Sequence, residues 1–229
     1  MFKPRILVYL IQSSQELITQ QNLQTYNLIA EDIYANGMAV IPNALPIELI
    51  EGLWSQVHGM SSEQFDQAGI GRENELMQNH FVRRDEICWI NGSSPAGQAW
   101  LDWTHQLQQF LNKRLFLGLF SFESHFAHYG PGDFYKRHVD AFKGDTNRIL
   151  SVVLYLNPGW VTDDAGELVI YQDEFDLVGT KILPHYGTLV TFLSDEFPHE
   201  VLAANRDRYS IAGWFRVNTS TADKADPPR

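Results

Sequence analysis

The sequence of 229 residues has a single cysteine, Cys88, so no intrachain disulfide can form and a disulfide-stapled scaffold is excluded. Basic charge is scarce as well: 17 Lys and Arg stand against 28 Asp and Glu, a formal net charge of -11. Such a surface gains nothing from a polyanion, which argues against nucleic acid as a partner. Long apolar runs are missing too. The run from Ile6 to Ile11 is too short for a signal-peptide core, and no small-residue cleavage site follows it. Nothing approaches the roughly 20 apolar residues of a membrane helix. These absences lead us to expect a soluble, cytoplasmic protein with no membrane partner. Internal repeats and low-complexity segments are also lacking. What is present, 44% hydrophobic and 20% charged residues, is the make-up of a globular chain. The length suits one domain, expected over residues 1–218 with a polar tail over 219–229.

The patterning changes near residue 115. Before it, helical spacing dominates. Leu23 to Asn36 reads as an amphipathic helix with Leu23, Tyr26, Ile29, Ile33 and Tyr34 inward, and Gly37 stands where a helix ends. Met38 to Ile41 reads as a strand, Pro46 to His58 as a second helix, Ser61 to Asn79 as a long loop, Ile87 to Ile90 as a strand, and Ala96 to Leu111 as a third helix. Trp89, Trp100 and Trp103 read as core. From Leu115 the chain is strand-rich: Phe120–Tyr129, Tyr135–Val139, Ile149–Leu156, Leu168–Tyr171, Val178–Leu183, Thr188–Leu193, His199–Leu202 and Tyr209–Val217, separated by Gly-, Pro-, Asn- and Asp-rich turns. The expected fold is mainly β with flanking helices (α+β): a double-stranded β-helix, or jelly roll, over about 115–218, packed against a helical part over about 1–114.

Three signals carry chemistry. His138-Val139-Asp140 is the one His-x-Asp/Glu triplet in the sequence, and alternate strand residues share a face. His199, on a separate predicted strand, supplies a third candidate ligand. Two imidazoles and one carboxylate leave octahedral positions open, which suits Fe(II) oxygen chemistry. Arg208 begins the last apolar strand, where a buried guanidinium needs an anion and fits a carboxylate with two parallel donors.

Together these residues carry a resemblance. Tyr129-Gly130-Pro131-Gly132, Tyr135 to Asp140, Val153 to Asn157, Ala165 to Leu168, Pro198 to Val201 and Arg208 to Trp214 resemble the prolyl 4-hydroxylase branch of the 2-oxoglutarate/Fe(II) dioxygenases, closest to the oxygen-sensing HIF-type prolyl hydroxylases and their bacterial relatives. The resemblance covers residues 80 to 217 and extends faintly to residue 25. It implies that His138, Asp140 and His199 ligate iron, and that Arg208 and Tyr155 hold the distal carboxylate of 2-oxoglutarate. It places Tyr129 near the iron end of the cosubstrate and makes Trp214 a wall of the pocket. Arg83, Arg84 and Asp85 fall in a substrate-closing loop, Arg84 standing where a glycine is usual, as Ala212 stands where a threonine occurs. The implied reaction is O2-dependent C4 hydroxylation of a prolyl residue in a protein, for bacterial relatives a translation elongation factor, with succinate and CO2 as coproducts and ascorbate as reductant. A monomer is expected.

Other readings stand beside this one. A 2-oxoglutarate oxygenase acting on a free amino acid or other small molecule shares the motifs, and a jelly-roll module keeping a metal without turnover shares the fold. His125 and His128, three apart, face opposite sides of a strand and read as structural or surface residues; His185 reads as solvated.

Overall fold

The computed structural model describes residues 4–68, 82–141 and 147–219, with side chains of the first helix from Gln20 onward. Among the described residues three α-helices, α1 (Pro4–Asn36), α2 (Ile47–His58) and α3 (Pro95–Leu115), accompany eleven strands. The strands are β1 (Met38–Ile41), β2 (Asp66–Gln67), β3 (Glu86–Trp89), β4 (Ser121–Tyr129), β5 (Tyr135–His138), β6 (Arg148–Tyr155), β7 (Leu168–Ile170), β8 (Thr180–Ile182), β9 (Leu189–Leu193), β10 (His199–Val201) and β11 (Arg208–Arg216). They form a seven-stranded sheet, β1-β9-β6-β11-β4-β3-β2, and a four-stranded sheet, β5-β10-β7-β8, with antiparallel pairing throughout. This is the expected double-stranded β-helix with its helical layer.

Strand alternation gives the large sheet two unlike faces. Leu150, Val152, Leu154, Phe126, Ile211 and Phe215 pack with Ile29, Leu53, Trp100 and Leu107 of the helices in one core. Their neighbours Tyr155, Val153, Ala127, Tyr129, Val190 and Phe192 face the small sheet, joining Leu168, Ile170, Ile182 and Val201. Trp100 and Leu107 are fully buried; each such side chain contributes on the order of 2–3 kcal/mol by leaving water.

Local chemistry explains the boundaries. Ser94 caps α3, its hydroxyl accepting from the Gly97 amide at 3.0 Å, and Pro95 fills the first turn, where no amide partner is needed. Gly37 (φ 72°) closes α1 in the left-handed region. A Cβ there would lie 2.8 Å from the Phe197 ring, so only glycine fits.

The helical layer departs from the sequence reading in its details. α1 begins at Pro4 and takes in the Ile6–Ile11 run. Leu23 and Tyr34 are exposed, while Asn22 and Thr25 are buried. Hydrogen bonds explain the exchange: Trp103 Nε1 donates to Asn22 Oδ1 at 3.0 Å and Thr25 Oγ1 to the Ala44 carbonyl at 3.2 Å. Within Ser61–Asn79, residues 62–64 form a 3-10 turn and Asp66–Gln67 pair with β3; the stretch beyond Ala68 lies outside the described residues, as does the tail from 220. Trp89 is 41% exposed rather than core, because β3 is next to the sheet edge and only the two-residue β2 lies beyond it. Among the described residues no helix is long and apolar enough to cross a membrane.

Candidate metal centre and its pocket

Antiparallel pairing of β5 with β10 sets His138 directly opposite His199. Each imidazole is tied by Nδ1 to a backbone carbonyl, His138 to Lys136 at 2.8 Å and His199 to Phe197 at 3.1 Å. A carbonyl only accepts, so each Nδ1 carries the proton and each Nε2 presents its lone pair. Both Nε2 atoms face Asp140, at 3.6 Å from Oδ1 for His138 and 3.7 Å from Oδ2 for His199. The ring of Tyr135 stacks on His138 at 3.6 Å, and Phe192 meets His199 edge-on at 4.7 Å, fixing both orientations.

Asp140 lies just past the end of β5, and a residue of the other sheet positions it. Ser151 Oγ, on β6, donates to Asp140 Oδ2 at 2.6 Å and lies 3.0 Å from Ser194 Oγ. The three ligand atoms of His138, Asp140 and His199 fall within 4.8 Å of one another, a candidate facial triad. Burial would raise the Asp140 carboxyl, but His199 and His138 outweigh it and hold the group well below the usual carboxylate range. Burial lowers His199 to about 4, against the pull of Asp140. Asp140 is therefore a carboxylate and His199 a neutral imidazole, the protonation states a metal ion requires of such ligands. An N2O donor set with further positions open fits Fe(II).

The far end of the pocket has a different character. Arg208, 1% exposed, opens β11. Its Nε donates to the Gly166 carbonyl at 3.0 Å and Nη1 lies 3.5 Å from Ser210 Oγ. The guanidinium sits 5.1 Å from the ring centres of both Tyr129 and Tyr155. Among the described residues no carboxylate is in ion-pair range of it. Tyr155 is fully buried, and among the described residues its hydroxyl has no hydrogen-bond partner; burial raises that phenol to about 12, against the pull of Arg208. A buried cation beside an orphaned hydroxyl is costly unless an anion completes them. The donors fit the distal carboxylate of a 2-oxo diacid. Gly166 (φ 72°) allows this end to close, since a Cβ there would lie 2.7 Å from that of Ala204.

The remaining sequence-predicted residues divide into two groups. Tyr129 pairs with Arg208 across β4 and β11 and is 4% exposed. Trp214 lies opposite Ser151, with the Arg148 guanidinium 3.7 Å over its ring and its Nε1 buried without a partner. These two residues share the pocket face with Arg208 and Tyr155. Arg83 and Asp85 face each other instead, through Nε–Oδ1 and Nη2–Oδ2 contacts of 2.7 and 2.5 Å. Asp85 is 1% exposed, and Arg83 lies 4.4 Å over Tyr135. Residues 82–84 exchange backbone bonds with Phe134 and Lys136, so this stretch ties the large sheet to β5. Arg84 is exposed beside the Phe134 ring.

Sequence reasoning missed two residues. Ser151 holds Asp140, and its one signal was a hydroxyl inside an apolar strand. His125 is 3% exposed between Trp89 and Trp214, at ring-centre distances of 5.1 and 5.5 Å. The signal was available: His125 is four residues from Tyr129 on one strand and so shares its face.

Comparison with known proteins agrees with this geometry. The model of the 2OG-Fe(II) oxygenase superfamily matches residues 124–216. A Pseudomonas putida prolyl-4-hydroxylase is 38% identical, with 82% of this chain and 97% of that one covered and a TM-score of 0.73. A prolyl hydroxylase solved with a hypoxia inducible factor oxygen degradation domain peptide fragment, from Trichoplax adhaerens, is 28% identical over 86% of this chain and 91% of that one, at a TM-score of 0.75. A viral collagen prolyl hydroxylase of Paramecium Bursaria Chlorella virus-1, in its 2OG complex, shares the fold at 18% identity, with 80% and 97% covered and a TM-score of 0.55. No curated protein matches the chain. With a histidine-aspartate-histidine cluster on a double-stranded β-helix and 38% identity to a bacterial prolyl-4-hydroxylase, this chain belongs to the 2OG-Fe(II) oxygenase superfamily and resembles prolyl 4-hydroxylases in structure.

Proposed function

We propose that the protein hydroxylates C4 of a prolyl residue in a polypeptide. The observation that carries the reading is the pairing of a carboxylate-bridged histidine pair at one end of the pocket with a buried guanidinium, unpaired by any described carboxylate, at the other. The 38% identity to a prolyl-4-hydroxylase favours a prolyl substrate. His138 and His199 would hold Fe(II) through Nε2, and Asp140 through its carboxylate. Bound Fe(II) and 2-oxoglutarate would supply the oxidising chemistry, one atom of O2 going to succinate as the oxo acid loses CO2 and the other entering the C–H bond.

The chain's own side chains position and exclude. Arg208 and Tyr155 take the distal carboxylate of 2-oxoglutarate. Tyr129 closes the space between that anchor and the metal cluster. Trp214, held by Arg148, forms the wall on the β11 side. The inward apolar residues Ala127, Val153, Val190 and Phe192 keep water from the reacting carbon. Arg83 and Asp85 hold the stretch that leads into β3 against β5. Ascorbate serves as the external reductant. Residues 1–218 act as one domain and one monomeric, cytoplasmic enzyme. A translation elongation factor is the candidate substrate to try first.

The test is incubation with Fe(II), 2-oxoglutarate, ascorbate and proline-containing peptides. The expected result is succinate formation stimulated by peptide, with a mass gain of one oxygen on proline. Turnover stimulated by free amino acids and by no peptide would overturn it.

A further inference from the structure

On the pocket face, β4 carries Tyr129, Ala127, His125 and Glu123 in a row, and β11 carries Arg208, Ser210, Ala212 and Trp214 beside it. Two buried polar atoms in these rows have no partner, His125 Nδ1 and Trp214 Nε1. A buried polar group left unpaired costs on the order of 1–3 kcal/mol, so two of them side by side require an explanation. The metal-cluster histidines make the contrast plain. Their Nδ1 atoms are fixed by backbone carbonyls, whereas among the described residues His125 Nδ1 has no partner.

Position narrows what the pair can meet. Ser151, which holds Asp140, is opposite Trp214; His125 is one strand further, opposite Ala212. His125 in turn is opposite Trp89 of β3, which is 41% exposed. The row Ser151–Trp214–His125–Trp89 therefore runs from the metal cluster outward to β3, next to the sheet edge. The Arg208–Tyr155 anchor lies deeper, at the opposite end of the same strands. Because Arg208 is on β11 and Tyr155 and Ser151 are on β6, a 2-oxo diacid reaching from that anchor to the metal would lie over those two strands and leave β4 and β3 to the substrate.

Chemistry narrows it further. The indole can only donate. Burial, with Arg83 adding to it, lowers the His125 imidazole to about 3, so it is neutral and carries one N–H and one lone pair. Proline has no amide proton, so a chain around a target proline presents more carbonyl acceptors than donors. Donors set in an aromatic floor match that deficit, and the edges of Trp89 and Trp214 suit a pyrrolidine ring.

From this placement we infer that His125, with Trp214 Nε1, forms a donor subsite that binds a backbone carbonyl of the substrate polypeptide beside its target proline. The inference rests on the prolyl reading and deepens it by assigning a substrate-binding residue.

The experiment is calorimetric titration of a proline-centred peptide into the anaerobic Fe(II)·2-oxoglutarate protein, for the wild type, His125→Leu and His125→Gln, with 2-oxoglutarate titrated separately. His125→Leu should weaken peptide binding about tenfold, the worth of one buried hydrogen bond, and His125→Gln, which keeps a donor, should recover most of the loss. Weakened 2-oxoglutarate binding with unchanged peptide binding would overturn the assignment, because the acceptor would then be the cosubstrate. Unchanged peptide binding in a folded His125→Leu protein would also overturn it. Should that variant fail to fold, the wild type loaded with zinc and labelled with 15N in its imidazoles decides: the His125 signals must move when peptide binds, and unmoved signals refute the contact. A wild type that consumes 2-oxoglutarate yet hydroxylates no prolyl peptide overturns the prolyl reading itself, a result distinct from failure of the histidine alone.

Discussion

The two faces of the seven-stranded sheet share the same strands and obey opposite rules. Against the helices, polar groups are matched: Trp100 Nε1 donates to Ser124 Oγ at 3.0 Å, Tyr26 Oη to the Trp103 carbonyl at 3.1 Å, and Gln108 Nε2 to the Leu119 carbonyl at 2.9 Å. Against the small sheet, Tyr155 Oη, Trp214 Nε1 and His125 Nδ1 are buried and unmatched, and Thr191 Oγ1 is the exception on the helix side. One face is complete as folded but for that one hydroxyl. The other leaves buried polar atoms unmatched beside the histidine-aspartate cluster and Arg208. Unpaired polar atoms thus mark where the molecule expects company.

Substitutions on the two faces should therefore fail differently. The largest effect is expected at the metal cluster: Asp140→Ala or His138→Ala should abolish Fe(II)-dependent succinate formation, and residual iron-stimulated turnover would break the contrast. On the helix side, Trp100→Ala should cost about 3–5 kcal/mol of unfolding free energy while the folded fraction keeps its 2-oxoglutarate affinity; denaturant unfolding and calorimetry separate the two. At the deep end, Arg208→Met should weaken 2-oxoglutarate by about 2–3 kcal/mol and Tyr155→Phe by about 1 kcal/mol. Equal losses at the two positions would mean that the hydroxyl and the guanidinium do not share one carboxylate.

Acid should act on the pocket face alone. His199 is lowered to about 4 and His125 to about 3, both below the 6.5 of a free imidazole and both by burial first. Between those values the unfolded chain binds the extra protons. Stability is then fully present above pH 6.5 and is lost as pH falls toward the folded values. Near pH 5 each histidine should cost the metal-free protein about 2 kcal/mol. Asp140, held low, adds a loss only below the usual carboxylate range. A melting temperature constant from about pH 7 to pH 5 would contradict the burial of these rings.

The strands and the ligand residues could be read from the sequence because both leave local patterns. Alternation, turn residues and the His138–Asp140 spacing are visible within a few positions, and Arg208 stood out as a charge opening an apolar strand. What escaped was set by contacts between distant segments. Leu23 yields its inward place to Asn22 because Trp103, far along the chain, supplies a donor. Trp89 is exposed because β3 sits near a sheet edge, and sequence does not show strand order. Arg83 and Asp85 read in the sequence as part of a substrate-closing loop, but pairing of residues 82–84 with β5 draws Asp85 into the interior. His125 looked inert because its neighbours in space, Trp89 and Trp214, lie on other strands.

One structure would decide the reading of the site: crystals grown without oxygen in Fe(II) and 2-oxoglutarate. The expected density is a single metal about 2.0–2.2 Å from His138 Nε2, His199 Nε2 and one Asp140 oxygen, with the cosubstrate's remote acid group on Arg208 and Tyr155. A metal bound elsewhere, or an acid group that leaves that guanidinium bare, would contradict it.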